Sequence, residues 1–161
     1  CERARWSDLV VIERSGDETA LHDIIQHVSR PVLLVPGPAP EIKRALLVYD
    51  GSPKGKEALY VATYLASRHQ IGLTIFATRE GDQRAMRKTV TVAIRHLRKN
   101  GVDASPVEAS GPIAEAVSES ASKSGSDLII IGGYNQHPLF APKTSLDHLM
   151  RMSEHPLLIC R

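Results

Sequence analysis

Cysteine is scarce in this chain of 161 residues. The two that occur, Cys1 and Cys160, form no CxxC, so no disulfide framework is expected and the pattern points to a reducing, cytoplasmic setting. Long hydrophobic runs are missing too. None approaches the ~18 residues that a membrane helix needs, so a membrane partner is not expected. Net charge is nearly absent, since 20 Lys and Arg stand against 18 Asp and Glu. A formal +2 is too small to imply a nucleic-acid partner. Arg84, Arg87, Lys88, Arg95, Arg98 and Lys99 do cluster, but on one expected helix without interleaved aromatics, and they read as its solvated face. There is no signal peptide, and the opening Cys1-Glu2-Arg3 in place of Met points to a fragment.

Catalytic and metal-binding patterns are missing as well. The seven histidines show no HxxxH spacing and no cysteine joins them, so a metal site is not expected. In "GSPKG" at Gly51 the serine stands second, not third, which rules out a nucleophile elbow. No GxxxxGK[ST] phosphate loop occurs, because Gly132 to Lys143 is too long. No base and nucleophile can be paired, so an enzyme is not expected.

What is present is a series of short, β-branched apolar runs bounded by turn residues. They lie at 9–12, 32–35, 45–48, 73–76, 128–131 and 157–160, with a weaker, more polar run at 103–108 that suits a sheet edge. Near-continuous rather than alternating hydrophobicity marks strands covered on both faces. Between them lie helical stripes. Ser52-Pro53 supplies a cap and a first-turn proline for one helix, with Ala58, Leu59, Ala62, Leu65 and Ala66 as its buried face. Met86, Val90, Ala93, Ile94 and Leu97 form the next, closed by Asn100-Gly101. Gly111-Pro112 opens a third helix that ends near Gly125. Thr144 to Met152 is the last, with Thr144-x-x-Asp147 resembling a capping box. From Lys43 onward the order is β-α-β-α-β-α-β-α-β, which right-handed crossovers turn into a doubly wound parallel α/β sheet.

An internal repeat accounts for the N-terminal part. "SDLVVIERSG" at Ser7 mirrors "SDLIIIGGYN" at Ser126, and "SRPVLLVP" at Ser29 mirrors "EHPLLICR" at Glu154. Residues 1–37 therefore read as the final strand–helix–strand of an earlier copy, 38–42 as a stiff Pro-rich linker, and 43–161 as a complete copy. Lacking its own first strand, the remnant needs a partner for its apolar faces, and 32–35 is expected against the second copy or another chain.

Together, Tyr49-Asp50-Gly51-Ser52, Gly111-Pro112, "SDLIIIGGY" and "HPLLICR" resemble the universal stress protein family in its tandem form. The resemblance covers 43–161 in full and 7–36 as a partial first copy. It implies a five-stranded parallel sheet of the adenine-nucleotide alpha-hydrolase type, a nucleotide site (ATP or AMP, with Mg²⁺ as a possible companion) in many members, and dimers formed through the last strand. With strand order 3-2-1-4-5, the ligand crevice falls where the order reverses, between the strand ending at Asp50 and the strand ending at Ile131. Asp50 then faces Gly132 and Gly133. Two readings of Asp50 stand: an acceptor for a ribose hydroxyl or adenine amino group, or a turn residue bonding its own backbone two positions on.

In nucleotide-binding members the phosphate loop reads Gly, two residues, Gly, nine residues, Gly, then Ser or Thr. Glycines let N–H groups converge on phosphate, and the hydroxyl sits at a helix N-terminus. Mapped onto this chain, Gly132 is the first glycine and Asn135 stands at the second. Lys143 falls on the third, and Thr144, followed by Ser145, holds the hydroxyl position in a loop two residues short. Lys143 reads either as a replacement charge for phosphate or as an exposed loop cation. Thr144 and Ser145 would serve as caps even without a ligand. In the first copy Glu13 replaces the first glycine, and its carboxylate would repel phosphate. Two functions follow from the resemblance: a sensor or regulatory dimer with a degenerate adenine-nucleotide site, or a dimerisation and interaction platform that binds no nucleotide.

Overall fold

The computed structural model describes residues 7–14, 21, 24, 25, 27–38, 41–78, 81–133 and 145–160. Among the described residues, seven strands and four helices follow one another as β1 (Val10–Glu13), β2 (Val32–Val35), β3 (Arg44–Val48), α1 (Pro53–His69), β4 (Gly72–Thr78), α2 (Gln83–Lys99), β5 (Ala104–Ala109), α3 (Ile113–Ser124), β6 (Leu128–Gly132), α4 (Ser145–Met152) and β7 (Leu157–Cys160). Between β1 and β2 the backbone is helical at Leu21, Ile24, Ile25 and His27.

All strands join one sheet in the order β1-β2-β7-β6-β3-β4-β5. Counted from β3, the last five run 3-2-1-4-5 as expected, and every pair among them is parallel. The expected five-stranded sheet is thus extended to seven. β1 pairs β2 in parallel, and β2 pairs β7 antiparallel, with Val32 opposite Ile159 and Leu34 opposite Leu157. The expected partner of 32–35 is therefore β7 of the same chain. The two parallel pairs β1–β2 and β6–β7 are related by an approximate two-fold through that seam.

Alternation along β3 shows why the apolar runs are continuous. Ala45 and Leu47 join the core beneath α1 and α2, whereas Leu46 and Val48 join the core beneath α3 and α4. Both faces are covered, so both parities must be apolar. Ile25 and Val28 pack into the α3–α4 side with Val32 and Leu34. β5 lies at the sheet edge, where Pro106 breaks no ladder that a further strand would need.

Local signals explain the helix ends. The Ser52 hydroxyl accepts from the Gly55 N–H at 2.9 Å, with Pro53 in the first turn. Asn100 and a left-handed Gly125 close α2 and α3. Asp82 caps α2 by accepting from the Arg84 and Ala85 N–H groups at 2.9 and 3.1 Å. Thr144 of the expected capping box lies outside the described residues. Asp127, in the "SD" that precedes β6, ties the sheet together laterally: its Oδ2 accepts from the Lys43 and Arg44 N–H groups at 2.9 and 3.0 Å. Arg14, just past β1, donates through Nη1 to the carbonyls of Met150, Arg151 and Ser153 at 3.1, 3.1 and 2.6 Å.

Candidate functional site

β3 and β6 are adjacent and parallel, with Val48 opposite Ile131, so they end at the same level. The strand order reverses between them, since β4 continues on one side of β3 and β7 on the far side of β6. Such a reversal opens a crevice beyond the carboxyl ends of the strands.

Asp50 follows β3 and is 8% exposed. Its Oδ1 accepts from the Ser52 N–H at 2.9 Å, so the turn-forming role exists, and it holds the carboxylate at the mouth of α1. Gly55, in the first turn of α1, is pressed against it. A Cβ on Gly55 would overlap Asp50 Oδ1 and stand 3.2 Å from the Ser52 Oγ.

Gly132 ends β6 on the other side of the same turn. A Cβ there would come within 2.7 to 2.9 Å of the carbonyl of Lys54 and the nitrogen of Gly55. Gly133 donates its N–H to the Cys160 carbonyl, and a Cβ on it would lie 3.1 Å from that oxygen. The first turn of α1 thus touches both Asp50 and Gly132, and the fold brings these two and Gly133 together. Ser145 heads α4 and is half-buried. Asn135, Lys143 and Thr144 lie outside the described residues.

Three neighbours at this crevice were not singled out as site residues in the sequence: Ser52, Lys54 and Gly55. A glycine inside a helix costs about 1 kcal/mol relative to alanine, so Gly55 in the first turn was a legible sign of close approach. Lys54 Nζ lies 3.2 Å from Glu57 Oε1, one helical turn on, which places a cation and an anion at the α1 N-terminus. Burial, with the Asp50 charge next and Tyr60 after it, pushes the Tyr49 phenol up. Tyr49 therefore stays neutral beside Asp50. A separate cavity of about 240 Å³ opens between α2 and the β4–β5 edge, floored by Met86, Val90, Ile94 and Pro106. It includes neither Asp50 nor Gly132. Among the described residues no group of three His, Cys, Asp or Glu could hold a metal ion, and no helix is long and apolar enough to cross a membrane.

No protein-family model and no curated protein matches the sequence. Solved structures do match the fold. A universal stress protein from Archaeoglobus fulgidus superposes with a TM-score of 0.82 at 15% identity, over 99% of this chain and 63% of its own. A member of that family from Burkholderia pseudomallei gives 0.61 at 22% identity, over 76% of this chain and 98% of its own. A universal stress protein solved in complex with cAMP gives 0.64 at 18% identity, over 74% and 97%. This chain thus spans less than two thirds of the Archaeoglobus protein, whereas the other two match within it almost whole.

Proposed function

We propose that this chain, whose fold is that of the universal stress proteins, is a universal stress module that binds an adenine nucleotide, ATP or AMP, at the β3–β6 crevice. It acts there as a cytoplasmic sensor or regulator, binding its ligand without transforming it. The observation that carries this reading is the placement of the Asp50 carboxylate beside Gly132 at the strand-order reversal, with the α1 N-terminus between them. A buried carboxylate there suits a ribose hydroxyl or the adenine amino group. The α1 N-terminus and Lys54 supply positive potential for phosphate, as Lys143 and the hydroxyls of Thr144 and Ser145 would from the loop. Gly132, Gly133 and Asn135 complete the proposed lining. The solved relative that holds cAMP supports a nucleotide as the ligand class.

The proposed organisation is a C-terminal part of a first copy at 1–37, a linker at 38–42 and a complete copy at 43–161. Asp8 supports it. It aligns with Asp127, which in the complete copy anchors the entry to β3, and Asp8 is exposed beside β1. A second reading, a dimerisation or interaction module without nucleotide, is favoured by one feature: Glu13 and Arg14 stand where Gly132 and Gly133 stand in the other copy, and Arg14 serves the joint between copies.

Calorimetric titration with ATP, AMP and cAMP, with and without Mg²⁺, tests the first reading. Asp50→Asn keeps an acceptor for the Ser52 N–H while removing the charge. Binding by the wild type, weakened about tenfold in the variant, is expected from the loss of one charge-assisted hydrogen bond. Absence of heat at millimolar nucleotide would favour the interaction module.

A further inference from the structure

We infer that the exposed face of the α1–α2 layer is a docking surface for single-stranded nucleic acid, independent of any nucleotide at the β3–β6 crevice. The near-neutral charge of the whole chain conceals a strong separation. α1 and α2 carry nine of the twenty Lys and Arg but a single acid, Glu57, and so a formal +8 in a chain of +2. The remainder is therefore at −6. Glu57 is already engaged by Lys54. α2 alone bears six cations and no acid. Arg87 reaches Glu108 at 3.9 Å and Arg98 reaches Asp103 at 4.0 Å, both through well-exposed side chains at the limit of ion-pair range. Counting both pairs as neutral still leaves Arg84, Lys88, Arg95 and Lys99 on α2. Among the described residues, Lys88, Arg95 and Lys99 have no ion-pair partner.

Read along the sequence, α2 has no aromatic residue to stack on a base. The fold supplies them from α1. Tyr60 and Tyr64, one turn apart on the same helix face, are 59% and 60% exposed. The Tyr60 ring meets the ring of His96 on α2 edge to face, with centroids 5.2 Å apart. Tyr60 thus borders a helix rich in cations, with Tyr64 about 6 Å further along the α1 axis. Phosphates running along Lys88, Arg95 and Lys99, with bases against the tyrosine rings, is the way single strands are held without sequence preference.

Other polyanions suit this face less well. A membrane surface would need large apolar side chains turned outward, yet Val90, Ala93 and Leu97 of α2 are buried and Val92 is the large aliphatic residue it exposes. A duplex keeps its base faces stacked and offers nothing to the rings. An acidic protein segment would use the cations and have little need of the tyrosines.

Fluorescence anisotropy of the full chain with a labelled oligothymidine or oligouridine 20-mer, a duplex of equal length and polyglutamate tests the inference between 50 and 200 mM salt. The single strands are expected to bind tightest. Tyr60→Ala with Tyr64→Ala is expected to weaken them at least tenfold without changing the salt slope, and the Phe pair to restore binding. Lys88→Ala, Arg95→Ala and Lys99→Ala together are expected to weaken binding and flatten the slope by roughly two. These exposed positions leave the core intact, which circular dichroism verifies. Asp50→Asn and saturating ATP are expected to leave binding unchanged, so failure at the crevice and failure here are separable. No binding at 50 mM salt, equal binding of polyglutamate, or tyrosine variants indistinguishable from wild type would overturn the inference.

Discussion

A methyl group on Gly132 would stand against the backbone of Lys54 and Gly55 at 2.7 to 2.9 Å, closer than packed atoms come. Neither side is a flexible side chain that can swing away, so Gly132→Ala is expected to lower stability by about 1–3 kcal/mol, read from urea denaturation with no ligand present. A stability equal to wild type would mean that the β6–α1 contact is looser than described. Gly132 is thus a packing glycine whatever else it does, and Asp50→Asn isolates ligand binding more cleanly. The sequence marked Gly132 as special, since it opens a glycine pair after a strand. It could not separate close backbone approach from phosphate binding, because both remove a side chain for the same steric reason. Cys160 carries a second residue-level consequence. Burial, with the Glu57 charge second, pushes its thiol up to about 12 from an ordinary 9.0. Below pH 9 the thiol is protonated in both folded and unfolded chains and stability is unaffected. Between pH 9 and 12 the unfolded chain ionises first, and stability falls by up to about 4 kcal/mol. Cys160→Ala is expected to flatten that alkaline decline in a pH series of denaturation curves; an unchanged slope would remove the thiol as its cause.

At the scale of elements, α4 depends on a residue far away in the chain. A helix C-terminus leaves carbonyls without partners and carries negative potential. The Arg14 guanidinium meets those of Met150 and Arg151, and that of Ser153 just beyond. Arg14→Ala is expected to cost about 1.5–3 kcal/mol, the range for hydrogen bonds to a charged donor. Thermal unfolding indistinguishable from wild type would show the cap to be dispensable. Such a contact is illegible in sequence, because it joins positions more than 130 apart. Local signals were legible where one or two residues decide the backbone: Ser52-Pro53 starts α1, Asn100 closes α2 and Gly125 closes α3. Asp82, which caps α2, also stands directly before its helical stripe and was legible in the same way. At Gln70 a non-glycine takes the left-handed conformation that ends α1, at φ 54°, against the usual preference. The meeting of Tyr60 with α2 is illegible for a different reason, since an aromatic supplied by a neighbouring helix leaves no trace within the helix itself.

At the scale of the molecule, the need of 32–35 for a partner was legible, and β7 of the same chain meets it. The sense of the pairing was not, because apolar runs such as Val32–Val35 and Leu157–Cys160 read the same in either direction. β2 runs antiparallel to β7, and seven strands share one sheet whose two ends differ in character. At one end β5 is polar and carries Pro106. At the other, β1 is the outer strand among the described residues, with Val11 at 62% exposure and Leu9 beside it at 41%. An edge of that composition invites a further strand, while the proline end discourages one. Within the described residues the sheet is therefore open to extension at one end and closed to it at the other.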